Sequence, residues 1–154
     1  MNALIIEDDD LKLDRLRGFL LSEAPGIEIE VARSYKSGLR ALVASRPSVA
    51  LVDMTLPSFD IQPGLGGGRP LSLGGKELLR QMRRREATCP VVVVTGFDAF
   101  GAGPDAVTLA QLDDELSREF RDFYLGSVYF NATTEDWRDR LRDLIGPALQ
   151  GAAS

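Results

Sequence analysis

Leu4-Ile5-Ile6-Glu7-Asp8-Asp9-Asp10 and Val49-Ala50-Leu51-Val52-Asp53-Met54-Thr55-Leu56-Pro57 are the stretches that decide the fold. Each is an aliphatic run that ends in carboxylate. Such runs, bounded by turn signals, read as strands buried on both faces, the kind a parallel sheet uses. If the two strands are neighbours, their acids converge at one edge of the sheet. Gathered carboxylates repel one another, so some stay protonated, the site stays wet, or a cation sits among them. A divalent cation is the expected occupant.

Outward from these runs, five apolar stretches alternate with amphipathic segments, the pattern of a doubly wound α/β domain with a parallel sheet. The strands are expected at roughly 2–6, 27–32, 48–53, 90–95 and 126–130. Leu13, Leu16 and Leu20 mark a first helix, Leu39, Leu42 and Val43 a second, and Leu78, Leu79 and Met82 a third, all at helical spacing. A fourth is expected from about Asp105 to Phe123, and a last one carries Trp137, Leu141, Leu144, Ile145 and Leu149. Ser34 is a candidate cap for the second helix, and Thr133 or Thr134 for the fifth. Pro25-Gly26, Pro47 and Pro90 each precede a strand, and Gly146-Pro147 is expected to loosen or end the last helix.

The chain has 154 residues, 44% hydrophobic and 27% charged, enough for one core and not for two. A single domain over 1–150 with a short tail, 151–154, is expected. A net charge of -5 argues against general nucleic-acid binding. The basic run Arg83-Arg84-Arg85 falls where the third helix should end, a favourable place for cations. Histidine is absent, which excludes Ser-His and Cys-His triads. One cysteine, Cys89, cannot form an internal disulfide, and neither a signal peptide nor a membrane-length apolar stretch is visible. A cytoplasmic protein without membrane association is expected.

Two connections exceed what a compact α/β unit needs. Ser58 to Gly75 is rich in glycine and proline and includes Gly66-Gly67-Gly68; Gly96 to Pro104 follows the fourth strand. Loops of such length are commonly functional or mobile. Both lie beyond strand C-termini, the side on which parallel α/β folds bind ligands.

These residues resemble the receiver domain of two-component response regulators. The resemblance rests on Glu7-Asp8 ending the first strand, on Asp53 ending the third with Pro57 four residues on, and on Thr95-Gly96 ending Val91-Val92-Val93-Val94. It spans nearly the whole chain and implies a flavodoxin-like (βα)5 sheet of order 2-1-3-4-5. It further implies that Asp53 is the phosphoacceptor, taking its phosphoryl group from a sensor histidine kinase, a phosphotransfer protein or a small donor. The chain would assist its own phosphotransfer and dephosphorylation without otherwise being an enzyme. A carboxylate is a usable nucleophile without a general base, and Mg2+ suits a site of few hard oxygen ligands.

By resemblance, Asp8 and Asp53 would bind Mg2+ directly, the Thr55 backbone carbonyl would join them, Glu7 would act through water, and Thr95 would be the switch hydroxyl. Asp9 and Asp10 read instead as the first turn of the first helix, where negative charge is favourable. The output would be contact with a downstream protein. The face of helix four, strand five and helix five, which in the family meets partners or a second copy, here carries Asp113-Asp114-Glu115.

The departure from the family is at the fifth strand. Receivers end it with Lys-Pro, whereas Ser127-Val128-Tyr129-Phe130-Asn131 stands here, with Phe130 in the lysine position. The three lysines are Lys12, Lys36 and Lys76, and none is near that strand in sequence. Lys76 or Arg69, in the long glycine loop, are the candidate substitute cations. Two readings follow: a phosphorylatable receiver, or a receiver-like binding module that works without phosphorylation. Haloacid-dehalogenase-like hydrolases also use a strand-terminal Asp with Mg2+, but need a second acid where Thr55 stands. A phosphate-cradling loop fails too, because Gly74-Gly75-Lys76-Glu77 lacks the hydroxyl.

Overall fold

The computed structural model describes residues 1–59, 70–71, 73–101 and 103–153. Buried aliphatic runs form the strands β1 (Asn2–Ile6), β2 (Glu28–Ala32) and β3 (Val49–Val52), separated by helices α1 (Asp10–Glu23) and α2 (Tyr35–Ser45). Two short strands follow, β4 (Leu56–Pro57) and β5 (Pro70–Leu71), then helix α3 (Gly74–Arg84) and strand β6 (Val91–Thr95). The remainder comprises β7 (Ala99–Phe100), a 3-10 turn at Gly103–Asp105, β8 (Val107–Thr108), α4 (Leu109–Glu119), β9 (Tyr124–Tyr129) and α5 (Asp136–Ala153).

The main sheet runs β2-β1-β3-β6-β9 with every neighbour parallel. Counting its members alone, this is the expected order 2-1-3-4-5. Alternate residues serve opposite layers, as the strand pleat requires. Leu4, Ile6, Ala50, Val52, Val91 and Val93 pack in one core with α2, α3 and α4. Ala3, Ile5, Val49, Leu51, Val92 and Val94 pack in the other with α1 and α5.

Several boundaries differ from expectation for identifiable reasons. Helix α4 starts at Leu109, not Asp105, because Thr108 and Gln111 close a capping box, each side chain bonding the other's backbone N–H. It ends at Glu119, so Phe120 and Phe123 pack from the turn behind it. The turn before α4 folds as the antiparallel pair β7-β8, which gives the long connection after β6 its own backbone partners. Strand β9 starts at Tyr124 because a bulge at Leu125 shifts its register between Val91 and Val92 of β6. Gly126 follows at φ 152°, and a Cβ there would stand 3.0 Å from both methyls of Leu144. Helix α5 continues through Pro147 to Ala153. Trp137, Leu141, Ile145 and Leu149, all buried along one side, hold it to the sheet despite the missing N–H.

The antiparallel pair β4-β5, Leu56 with Leu71 and Pro57 with Pro70, brackets the glycine-rich loop. Arg69, one of the candidate substitute cations, lies outside the described residues.

Two ion pairs join α3 to α4, and a third joins α3 to the turn behind α4. Lys76 pairs with Glu115, Arg80 with Glu119 at 3.4 Å and Arg83 with Asp122 at 2.9 Å, and the Arg83 guanidinium lies 4.8 Å from the Phe120 ring centroid. Asp113 accepts from the Tyr124 hydroxyl at 2.5 Å. The expected acidic patch is therefore partly an internal network. No helix among the described residues is long and apolar enough to cross a membrane. Burial pushes the Cys89 thiol up to about 12, so it stays protonated.

Candidate acid site at the strand ends

The sheet register builds the site. Ile5 pairs with Leu51 and Ile6 with Val52, so the next residues out, Glu7 and Asp53, leave adjacent strands together. Both continue the set that faces α1 and α5, because Ile5 and Leu51, two residues back, pack in that core. The carboxylate oxygens of Glu7, Asp8 and Asp53 lie within 4.8 Å of one another. Glu7 is 2% exposed and Asp53 7%, while Asp8 is partly open to solvent.

Burial is the main influence on both buried acids. It pushes Glu7 up to about 7, against the pull of the Lys12 ammonium, with Asp53 adding repulsion. Asp53 is raised for the same first reason, opposed by Lys12 and by backbone hydrogen bonds from Met54 and Thr55.

Lys12 is the site residue missing from the sequence reading. Asp9, rather than beginning the helix, caps it by accepting from the Lys12 N–H at 2.9 Å, and Asp10 is the first helical residue, paired with Arg33 at 2.7 Å. This cap places Lys12 on the inward stripe of α1 with Leu16 and Leu20, and it is only 5% exposed. Its Nζ stands 2.6 Å from Glu7 Oε2 and 3.2 Å from Asp53 Oδ1, and donates to the Val94 carbonyl at 2.6 Å. Val94 lies one residue beyond the last pairing of β3 with β6, Val52 with Val93. The signal in the sequence was the i, i+4, i+8 spacing of Lys12, Leu16 and Leu20.

The named substitute, Lys76, is not at this site: its ammonium pairs with Glu115 of α4. Lys12, set aside in the sequence reading because it lies far from the fifth strand, reaches the site from α1, beside the ends of β1, β3 and β6. Phe130, just past β9, is buried and its ring centroid is 5.1 Å from that of Trp137, in the α1/α5 core. Thr95 ends β6 fully buried, and its Oγ1 accepts from the Phe97 N–H at 3.2 Å. Thr55 lies in the turn between β3 and β4.

The site fits a hard divalent cation. Three carboxylates converge, and apart from their ion pairs with Lys12, Glu7 Oε2 and Asp53 Oδ1 are buried with no hydrogen-bond partner among the described residues. Oxygen-only donors and an open side at Asp8 suit Mg2+, which keeps several waters.

The response regulator receiver domain family matches residues 3–121. The chain belongs to that family. The match stops short of β9, the strand that lacks the expected lysine. This receiver is 29% identical over 144 residues to the uncharacterized protein y4jR of Sinorhizobium fredii, covering 93% of this chain and 95% of the other. It is 27% identical over 141 residues to the Detocs response regulatory protein DtcB of Enterobacter cloacae, covering 90% and 94%. Among solved structures, a receiver domain protein from Clostridium thermocellum superposes with a TM-score of 0.61 at 18% identity, over 99% of this chain and 96% of that one. The receiver domain of sensor histidine kinase PA1611 from Pseudomonas aeruginosa, which has a magnesium ion coordinated in its active-site cleft, gives 0.56 at 17%, over 94% and 97%. Both likenesses concern the fold.

Proposed function

We propose that this receiver accepts a phosphoryl group on Asp53 with Mg2+ bound at the acid cluster, and signals by protein contact. The convergence of Glu7, Asp8 and Asp53 within 4.8 Å carries the reading. Asp8, Asp53 and the Thr55 carbonyl would hold the ion, with Glu7 acting through water; when bound, it supplies charge neutralisation for the transferred phosphoryl group.

An Asp53 carboxylate oxygen attacks the donor phosphorus. The new O–P bond forms as the bond from phosphorus to the donor nitrogen or oxygen breaks. The electron pair leaves with the donor group, an imidazole of a phosphohistidine or an acetate, and solvent supplies any proton it takes up. The Met54 and Thr55 backbone hydrogen bonds orient the nucleophile, and its burial limits competing water. The donor would be a sensor histidine kinase or phosphotransfer protein, and the listener a downstream protein or second copy. The magnesium site of the Pseudomonas aeruginosa neighbour and the response-regulator relatives support this reading.

Incubation with acetyl phosphate and Mg2+ is expected to add the mass of one phosphoryl group, lost with EDTA and in Asp53→Asn. Absence of any addition to the wild-type chain would leave the phosphorylation-independent module, the reading favoured by the loss of the fifth-strand lysine.

A further inference from the structure

We propose that Lys12, from the first turn of α1, is the cation that reads the phosphoryl group on Asp53 in place of a fifth-strand lysine, and that its hold on the Val94 carbonyl links this reading to the end of β6. The inference rests on the phosphoacceptor reading of Asp53 and adds to it the residue and the path of the response.

The position of the ammonium carries the first half. Nζ is 3.2 Å from Asp53 Oδ1, so a phosphoryl group on Asp53 is built within reach of a buried cation that is already in place. Its side chain is buried and held by Glu7, Asp53 and the Val94 carbonyl, leaving little freedom to be lost on engagement. Among the described residues, Lys76 is committed to Glu115 and the usual position is filled by an aromatic ring packed against Trp137.

The second half follows from the relative strength of the acceptors around Nζ. An ammonium has three N–H groups, and here Glu7, Asp53 and the Val94 carbonyl surround it. Phosphorylation turns one Asp53 oxygen into the bridging oxygen of an acyl phosphate and adds a doubly charged phosphoryl group beside it. The stronger, charge-assisted acceptor draws Nζ away from the neutral Val94 carbonyl. That carbonyl lies beyond the β3 pairing and immediately before Thr95, whose hydroxyl holds the Phe97 N–H. Loss of the Lys12 bond leaves this strand end held by β9 alone, through the pairing of Val94 with Val128 and Thr95 with Tyr129, and lets the Thr95 segment shift.

Mg2+ and the ammonium compete for the same carboxylates but cooperate on a phosphoryl group, so removing the charge should move two affinities in opposite directions. Calorimetric titrations of wild type, Lys12→Met and Lys12→Gln with Mg2+ alone, and then with beryllium trifluoride in saturating Mg2+, test this. Both variants should bind Mg2+ more tightly and beryllium trifluoride at least about tenfold more weakly. Hydrogen exchange on the wild type should show altered protection of the Thr95–Phe100 amides on adding beryllium trifluoride, a change the variants lack.

Variants that bind beryllium trifluoride like the wild type, with the same exchange response, overturn the role of Lys12 and leave the receiver reading intact. Loss of both affinities together also overturns it, assigning Lys12 to structure. A wild-type chain that binds neither ligand removes the phosphoacceptor reading and this inference with it.

Discussion

Phe130→Lys, which writes the family's fifth-strand lysine back into the chain, should destabilise this receiver instead of repairing it. The Phe130 ring is 8% exposed, and its centroid lies 5.1 Å from that of Trp137, which in turn lies 5.9 Å from Phe19 of α1. Removing a buried Phe side chain costs about 3–5 kcal/mol, and this stack joins β9, α5 and α1. The new ammonium would meet either an apolar cluster or a pocket in which Lys12 already occupies the carboxylates. Both outcomes are unfavourable. The expected result is a melting temperature lower by about 10 °C or more, with slower Asp53 phosphorylation; a variant as stable as the wild type that phosphorylates faster would contradict the account.

Gly75→Ala is expected to have the next largest effect, through backbone alone. Gly75, the second residue of α3, donates its N–H to the Met54 carbonyl at 2.9 Å, which brings the start of the helix against the turn that follows Asp53. A Cβ there would stand 2.7 Å from the Asp53 carbonyl oxygen and 3.0 Å from Met54 Cα. Neither is the free end of a side chain that can swing aside, so the helix or the Asp53–Thr55 turn must move. Overpacking of this kind costs about 1–3 kcal/mol, and displacement of the turn should weaken Mg2+ binding as well. Calorimetric unfolding and a Mg2+ titration check both. Unchanged Mg2+ affinity would show that the turn does not depend on this close approach.

The sheet was legible because buried parallel strands are nearly continuous aliphatic runs, and Val91-Val92-Val93-Val94 could hardly be read otherwise. Strand parity then fixed Glu7 and Asp53 as neighbours, because each stands two residues beyond a core aliphatic on adjacent strands. The acid half of the site was therefore readable from periodicity once the family resemblance supplied the strand order that makes the two strands neighbours.

Lys12 was not, for a physical reason. A lysine in the first turn of an acid-rich helix ordinarily extends into solvent, and the apolar stripe of α1 seemed to begin at Leu13. The spacing of Lys12, Leu16 and Leu20 puts them on one stripe only if the helix already includes Lys12, and it is the Asp9 cap that sets this start. The same weakness in reading helix starts misplaced α4, although Thr108 to Gln111 carries the capping-box spacing. Pro147 misled in the opposite sense. Its local cost was visible in sequence, whereas the burial of Ile145 and Leu149 on either side of it belongs to tertiary packing.

In the function proposed above, the acid cluster, with Lys12 beside it, receives Mg2+ and a phosphoryl group on Asp53. A crystal structure grown with Mg2+ and beryllium trifluoride tests it most directly. The account predicts one ion among Asp8, Asp53 and the Thr55 carbonyl, beryllium trifluoride on the Asp53 carboxylate, and Lys12 Nζ turned from Val94 to a fluorine. A structure with neither ion at the cluster and Lys12 still seated on Glu7, Asp53 and Val94 would contradict it.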